Sequence, residues 1–352
     1  MSDHRLTELM ELSARLGSQP LLVQGSTGNT SIKIGRILWI KASGKRLENA
    51  ASEDMFVPVN LQGVEHFISQ SSSWPDAARP TSSGLTPSIE TAMHLVLPHR
   101  VVIHLHSVNT IAWAVQRDGA SHLREILSGL RWTWIDYMFS GAPLARAIRA
   151  SLSFSPDVFI LANHGLVIGA ETCGEAMALL AEIEKRLAIE PRKIPEPNRL
   201  GLARWAAAAD YKPAESDVIN SLATDPISME ILAGGILYPC QAMFLGRYSV
   251  VTERAPLAQL ISDFIAENAF RPPAIFVKGD GVLVAEDHTV AEAEVLTGLA
   301  QVARRIPAPA RVQYLSRRCI DEVVSNNLYA GTQSRMPSNS LNIVARAKAA
   351  SR

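Results

Sequence analysis

Cysteine is scarce: three in 352 residues, Cys173, Cys240 and Cys319, an odd number at wide spacings. Such spacings support neither a disulfide framework nor a Cys-x-x-Cys metal site, and free thiols of this kind suit a reducing, cytoplasmic setting. Charge excess of either sign is also missing, since 34 basic side chains face 34 acidic ones. A phosphate backbone or an anionic membrane surface demands a basic footprint, so no nucleic acid and no membrane are expected as partners. No stretch approaches the roughly 18 uninterrupted apolar residues of a membrane span. The N-terminal segment MSDHRLTELMELSARLG sets Leu6, Leu9, Met10, Leu12 and Leu16 at helical spacing, without the continuous apolar core of a signal peptide. Glycine and proline are not in excess either, which excludes fibrous and low-complexity classes. What remains is ordinary globular composition, 47% hydrophobic and 19% charged, at a length that fits two domains.

The opening helix should stop near Gly17. Leu21, Leu22 and Val23 then lead into a small-residue turn over 25–31, and residues 36–41 read as a strand. Residues 60–87 are rich in Ser, Pro and Gly, after which 89–97 carry helical periodicity and 101–106 are β-branched. Two apolar runs, 158–161 and 166–168, flank Ala162, Asn163, His164 and Gly165, which have hairpin turn chemistry, and an amphipathic helix follows over 172–189. Pro191, Pro195 and Pro197 fix φ and withdraw backbone donors. The expected organisation is a domain over 1–190, a linker over 191–198, a smaller domain over 199–329 and a tail over 330–352. PDVFILANHGLVIGAETCGEAMALLAEIEKRL and PPAIFVKGDGVLVAEDHTVAEAEVLTGLAQVARRI both read strand, Gly turn, strand, Thr, then helix. A degenerate internal duplication accounts for this, with Asp280 standing where His164 stands; convergence on a common unit is the alternative.

In a strand, residues i and i+2 share a face, so His104 and His106 point together while Leu105 points away. Two imidazoles can chelate one ion, and a catalytic zinc site takes three protein ligands with a position left open. His164, a polar residue between two apolar runs beside Gly165, is the candidate third ligand. A lone His-x-His describes a pair of satisfied histidines equally well, so context has to decide.

That context is an ordered set: Gly28, Asn29, Thr30 and Ser31; Lys41, Ala42, Ser43 and Gly44; Ser88, Ile89 and Glu90 with His94; His104 to Ser107; and Asn163 to Leu166. Together these resemble the class II, metal-dependent aldolase/adducin family over about residues 5–190. Leu97, Pro98 and His99, and the short gap from Glu90 to His104, are similar to the aldolase part of long rhamnulose-phosphate aldolase/dehydrogenase fusions. The resemblance implies an α/β fold, a three-layer α/β/α arrangement with a mainly antiparallel central sheet, followed by a smaller α/β C-terminal domain. It implies that His104, His106 and His164 hold one divalent metal per chain, zinc with manganese or cobalt as alternatives, and that Glu90 is the acid/base. It also implies that Gly28, Asn29, Ser43, Gly44 and Ser88 line a substrate-phosphate pocket. Backbone N–H groups of Gly28, Asn29, Ser43 and Gly44, with the hydroxyls of Ser43 and Ser88, would then cradle the anion. One departure is Ile89, where relatives carry a second serine. Thr81, Ser82 and Ser83 offer compensation, or the substrate carries a carboxylate or no anion.

The activity implied first is retro-aldol cleavage of a small sugar or sugar phosphate, by a homo-oligomer that relatives build as a tetramer. Epimerase, dehydratase and 3-oxo-sugar-acid decarboxylase chemistry can use the same histidines, and adducin shows a non-catalytic use of the fold. His94 is expected beside the site or in packing, His99 at a helix end, and Tyr137 in packing.

Overall fold

The computed structural model describes residues 4–61, 84–207, 210–253, 255–308 and 311–325. Thr81, Ser82 and Ser83, and the tail over 330–352, lie outside them. The chain divides into one unit of residues 1–190 with 310–313, and a second of residues 191–309 with 314–352.

Strand alternation builds the first unit. Its helices are α1 (His4–Gly17), α2 (Thr91–Val96), α3 (Val108–Ala114), α4 (Gly119–Ile126), α5 (Ala142–Ser151) and α6 (Cys173–Leu187). Its strands are β1 (Asn29–Ile34), β2 (Ile37–Lys41), β3 (Phe56–Asn60), β4 (Val101–Leu105), β5 (Trp132–Ile135), β6 (Val158–Leu161) and β7 (Gly165–Ala170), in the sheet order β3-β2-β1-β4-β7-β6-β5. Only β5 and β6 run parallel among these neighbours; the rest pair antiparallel. Val101, Ile103 and Leu105, with Ile160, Leu166 and Ile168, pack against Leu9, Leu12 and Leu16 of α1 and Leu180, Ile183 and Leu187 of α6. The intervening Val102, Phe159, Leu161 and Val167 face the other way, onto Met93 of α2 and Leu144 and Ile148 of α5. Each such buried aliphatic side chain contributes roughly 1.5–3 kcal/mol, so both helical layers are held by the period-two pattern of the strands. The expected three-layer α/β/α fold with a mainly antiparallel sheet is the fold observed.

At the start of β7, a Cβ on Gly165 would stand 2.5 Å from the Leu105 carbonyl oxygen, so only glycine lets β7 close on β4 beside the histidines. Thr172 and Glu175 form a reciprocal capping box that starts α6 cleanly. His99 does not cap a helix. Its Nε2 lies 3.0 Å from Asp157 Oδ1, and the same carboxylate takes a fork of hydrogen bonds from Arg131.

The second unit carries a four-stranded sheet, β8-β11-β10-β9, from β8 (Tyr211–Pro213), β9 (Val250–Thr252), β10 (Ala274–Val277) and β11 (Gly281–Ala285). It is the smaller α/β part that was expected. Ile275, Val277, Leu283 and Ala285 bury one face with Leu202, Leu257 and Phe264. The β10/β11 hairpin repeats the β6/β7 register: Leu161 pairs with Gly165 as Val277 pairs with Gly281, and Val158 with Ile168 as Ala274 with Val284. Asp280 thus occupies the turn position of His164, and the following helix (Val290–Ala303) opens on a Thr289/Glu292 capping box. Among the described residues no single helix is long and apolar enough to cross a membrane.

Candidate metal centre

The center of the first unit's sheet delivers the site. His104 lies on β4, His106 one residue beyond its end, and His164 closes the β6–β7 turn. Glu90 is the residue before α2, with φ −96° and ψ 7°. Gly28 enters β1 at φ +68°, where a Cβ would meet the His104 carbonyl oxygen at 3.0 Å. That close approach sets Asn29 directly opposite His104, and paired residues of an antiparallel ladder project to the same face.

The three imidazoles converge. One ligand nitrogen from each of His104, His106 and His164 lies within 4.8 Å of the others, all buried. Their ring centroids are 4.9–5.2 Å apart with interplanar angles of 70–77°, so the rings fan around a common point rather than stack. His104 Nδ1 donates to the Leu166 carbonyl oxygen at 3.0 Å, which leaves the lone pair on Nε2. That Nε2 has no hydrogen bond of good geometry although Glu90 Oε2 lies 3.2 Å away. A carboxylate beside a lone-pair nitrogen offers no proton to share, and a cation held by the imidazoles would satisfy that nitrogen and balance the nearby carboxylate. The donor set therefore fits a divalent metal.

Glu90 is 2% exposed and held from both sides. Oε2 accepts from Asn29 Nδ2 at 2.8 Å; Oε1 accepts from Ser140 Oγ at 3.1 Å and lies 3.2 Å from His164 Nε2. Behind it runs a buried chain. His94 Nε2 donates to Asn29 Oδ1, so His94 Nδ1 is left to accept from Ser31 Oγ at 2.7 Å. This orients the Asn29 amide, whose nitrogen must then face Glu90 and, at 3.2 Å, Ser88 Oγ.

Burial pushes His104 down to about 4 despite the neighboring Glu90, and burial with the neighboring imidazoles holds His106 well below the usual range. Both rings are thus neutral at neutral pH, the form in which an imidazole could bind a metal. Burial pushes the Glu90 carboxyl up, and its interactions with the surrounding imidazoles of His104, His164 and His106, a hydrogen bond with His164 among them, outweigh that and hold it well below the usual carboxylate range. Burial lowers His94 to about 3, so it stays neutral as the hydrogen-bond pattern requires.

The residues expected to line a phosphate pocket divide. Asn29 and Ser88 are drawn into the Glu90 network, with Ser88 Oγ accepting from the Glu90 N–H at 3.3 Å. The N–H of Ser43 donates to the Thr86 carbonyl oxygen at 2.8 Å, because residues 42 and 87 form a β-bridge, so it is not free to cradle an anion. Gly44 is exposed at φ +75° with open space where a Cβ would be. Two participants were assigned no role of their own by the sequence. Ser140 reads as a loop residue. Lys41 is buried, and its Nζ donates to the carbonyl oxygens of Ser26 at 2.9 Å and Gly28 at 3.1 Å, pinning the glycine loop. Burial lowers its pKa to about 7 against the pull of Glu90. Lysine is so rarely buried that neither composition nor periodicity anticipates it.

Residues 7–190, just over half of the chain, match the Class II Aldolase and Adducin N-terminal domain. The chain belongs to the class II aldolase and adducin family. Among curated proteins it is similar to a Bacillus subtilis protein named uncharacterized oxidoreductase YuxG, 28% identical over 184 residues. That match covers 47% of this chain and 26% of the relative, so the chain spans about a quarter of that relative's length. Among solved structures, the N-terminal class II aldolase domain of a conserved Thermoplasma acidophilum protein is 24% identical at a TM-score of 0.44, covering 51% of this chain and 90% of that one. An L-fuculose 1-phosphate aldolase is 20% identical at a TM-score of 0.40, covering 53% and 84%. In this class II aldolase-like chain, His104, His106 and His164 form a buried set able to hold a metal.

Proposed function

We propose that this chain is a metal-dependent carbon–carbon lyase acting on a small sugar or sugar phosphate by retro-aldol cleavage. The observation that carries the reading is the Glu90 carboxylate, 3.2 Å from both His104 Nε2 and His164 Nε2 in a pocket of converging imidazoles. A divalent ion held there by His104, His106 and His164, zinc with manganese or cobalt as alternatives, supplies Lewis-acid polarization of a carbonyl. Glu90 then moves the proton: cleavage removes it from the hydroxyl on the carbon that becomes the aldehyde, and returns one to the carbon released from it. Asn29 and Ser140, one on each carboxylate oxygen, aim Glu90 for that transfer. Gly28, Asn29, Ser43, Gly44 and Ser88 border the substrate, with the Ser88 hydroxyl proton available because its oxygen is already an acceptor. The catalytic part is residues 1–190, joined through 191–198 to the smaller domain, and the assembly is a homo-oligomer.

The test is a panel of ketoses and ketose phosphates incubated with metal-loaded protein, assayed for dihydroxyacetone phosphate and for aldehyde. Cleavage that Glu90→Gln abolishes is the expected result. Turnover to an epimer, a dehydrated product or carbon dioxide, without aldehyde, would replace the lyase reading.

A further inference from the structure

The β6–β7 turn that carries His164 is not held by its own hairpin alone. Asn163 sits at φ +52°, a left-handed conformation that L residues adopt at a cost, and it is 1% exposed. Its N–H donates to the Ala114 carbonyl oxygen at 3.0 Å, at the end of α3. Its side-chain Nδ2 donates at 2.8 Å to the carbonyl oxygen of Gln313, a residue 150 positions later that the fold returns to the first unit. The same short segment is laced to the end of α3: Arg117 N–H donates to Arg311 at 2.9 Å, Gln313 N–H donates to Val115 at 2.7 Å, and Gln116 and Val312 form an antiparallel bridge. The helix so gripped begins at Val108, two residues after His106, so one three-residue strap ties the His164 turn to the far end of the helix that follows His106.

We infer that residues 311–313 are a positioning strap for His164: through Gln313 and the Asn163 amide they lock the left-handed turn that presents the imidazole. The inference rests on the reading of His164 as a metal ligand. Among the described residues, the hydrogen bonds that tie 311–313 to 115–117 are backbone to backbone, so the strap tolerates side-chain change at Gln313 but not loss of its N–H.

The test uses the full-length, metal-free chain titrated with zinc ion, alongside hydrogen exchange of the turn over 162–165. Gln313→Pro removes the donor to Val115; Asn163→Gly keeps the left-handed φ and removes the side-chain bond; Gln313→Ala preserves every strap bond. Gln313→Pro and Asn163→Gly should each weaken zinc binding about tenfold, the scale of one lost hydrogen bond, and should accelerate exchange in the turn. The double variant should be no weaker than the weaker single one, and Gln313→Ala should match the parent. Zinc affinity within twofold of the parent in both variants, with unchanged exchange, would overturn the strap. His164→Ala in the same titration separates the ligand role of His164 from the strap. If it leaves zinc binding intact, the ligand reading fails and exchange alone judges the strap: faster exchange in Gln313→Pro but not in Gln313→Ala supports it, and equal exchange refutes it.

Discussion

Replacing His94 with Gln tests the buried chain behind Glu90. The imidazole is fully buried, and burial lowers its pKa from the usual 6.5 to about 3. A basic group whose folded pKa is depressed binds protons more readily in the unfolded chain, so its share of stability is complete above pH 6.5 and is lost as pH falls toward 3. At about pH 5 the unfolded imidazole is almost fully charged and the folded one almost neutral, which costs the fold about 2 kcal/mol relative to about pH 7.5. His104, lowered to about 4 by the same burial, loses a similar amount in the same window. Glutamine does not titrate, yet its amide can still donate to Asn29. Urea unfolding of metal-free protein at the two pH values should therefore show a fall in stability smaller by about 2 kcal/mol in His94→Gln than in the parent. An identical fall in the two proteins would refute both the neutral, buried state of His94 and its place in the Glu90 network.

His106→Ala should give a folded chain with far less bound metal by elemental analysis, and unchanged stoichiometry would remove that ligand. Asp280→Ala should leave metal content untouched, since its carboxylate accepts from Asn198 Nδ2 at 2.8 Å and Trp205 Nε1 at 3.3 Å within the second unit; metal loss there would overturn the separation of roles between the two hairpins. Lys41 has its pKa lowered from 10.5 to about 7, first by burial, so the parent should gain about 2.5 kcal/mol between about pH 7.5 and about pH 9.5. Lys41→Met should lack that rise in the same unfolding assay.

The legible parts of this protein are those with short-range periodicity. Val101 to Leu105 announces a strand by β-branching, and its alternation assigns His104 and His106 to one face before any partner is known. Thr172 with Glu175 and Thr289 with Glu292 announce helix starts, and both capping boxes form. What pattern alone leaves open is which distant groups meet. The Asn29–His104 pairing depends on Gly28 admitting a close backbone approach. Ser140, 50 residues from Glu90 in sequence, and Gln313, 150 residues from Asn163, reach their partners through long-range topology that no local window records. Lys41 sits in an ordinary strand, and its burial follows from the two carbonyl oxygens it meets rather than from its neighbors in sequence. The same limit explains His99. Beside a proline it reads as a helix end, whereas the fold brings Asp157 to it from 58 positions away.

Whether three imidazoles share one ion is read directly by X-ray absorption at the zinc edge of the reconstituted full-length chain. The expected spectrum is one zinc per chain bound by three imidazole nitrogens at about 2.0–2.1 Å, with oxygen in the remaining position and no sulfur. Sulfur scattering, or a zinc spectrum that His104→Ala and His164→Ala leave unaltered, would contradict it.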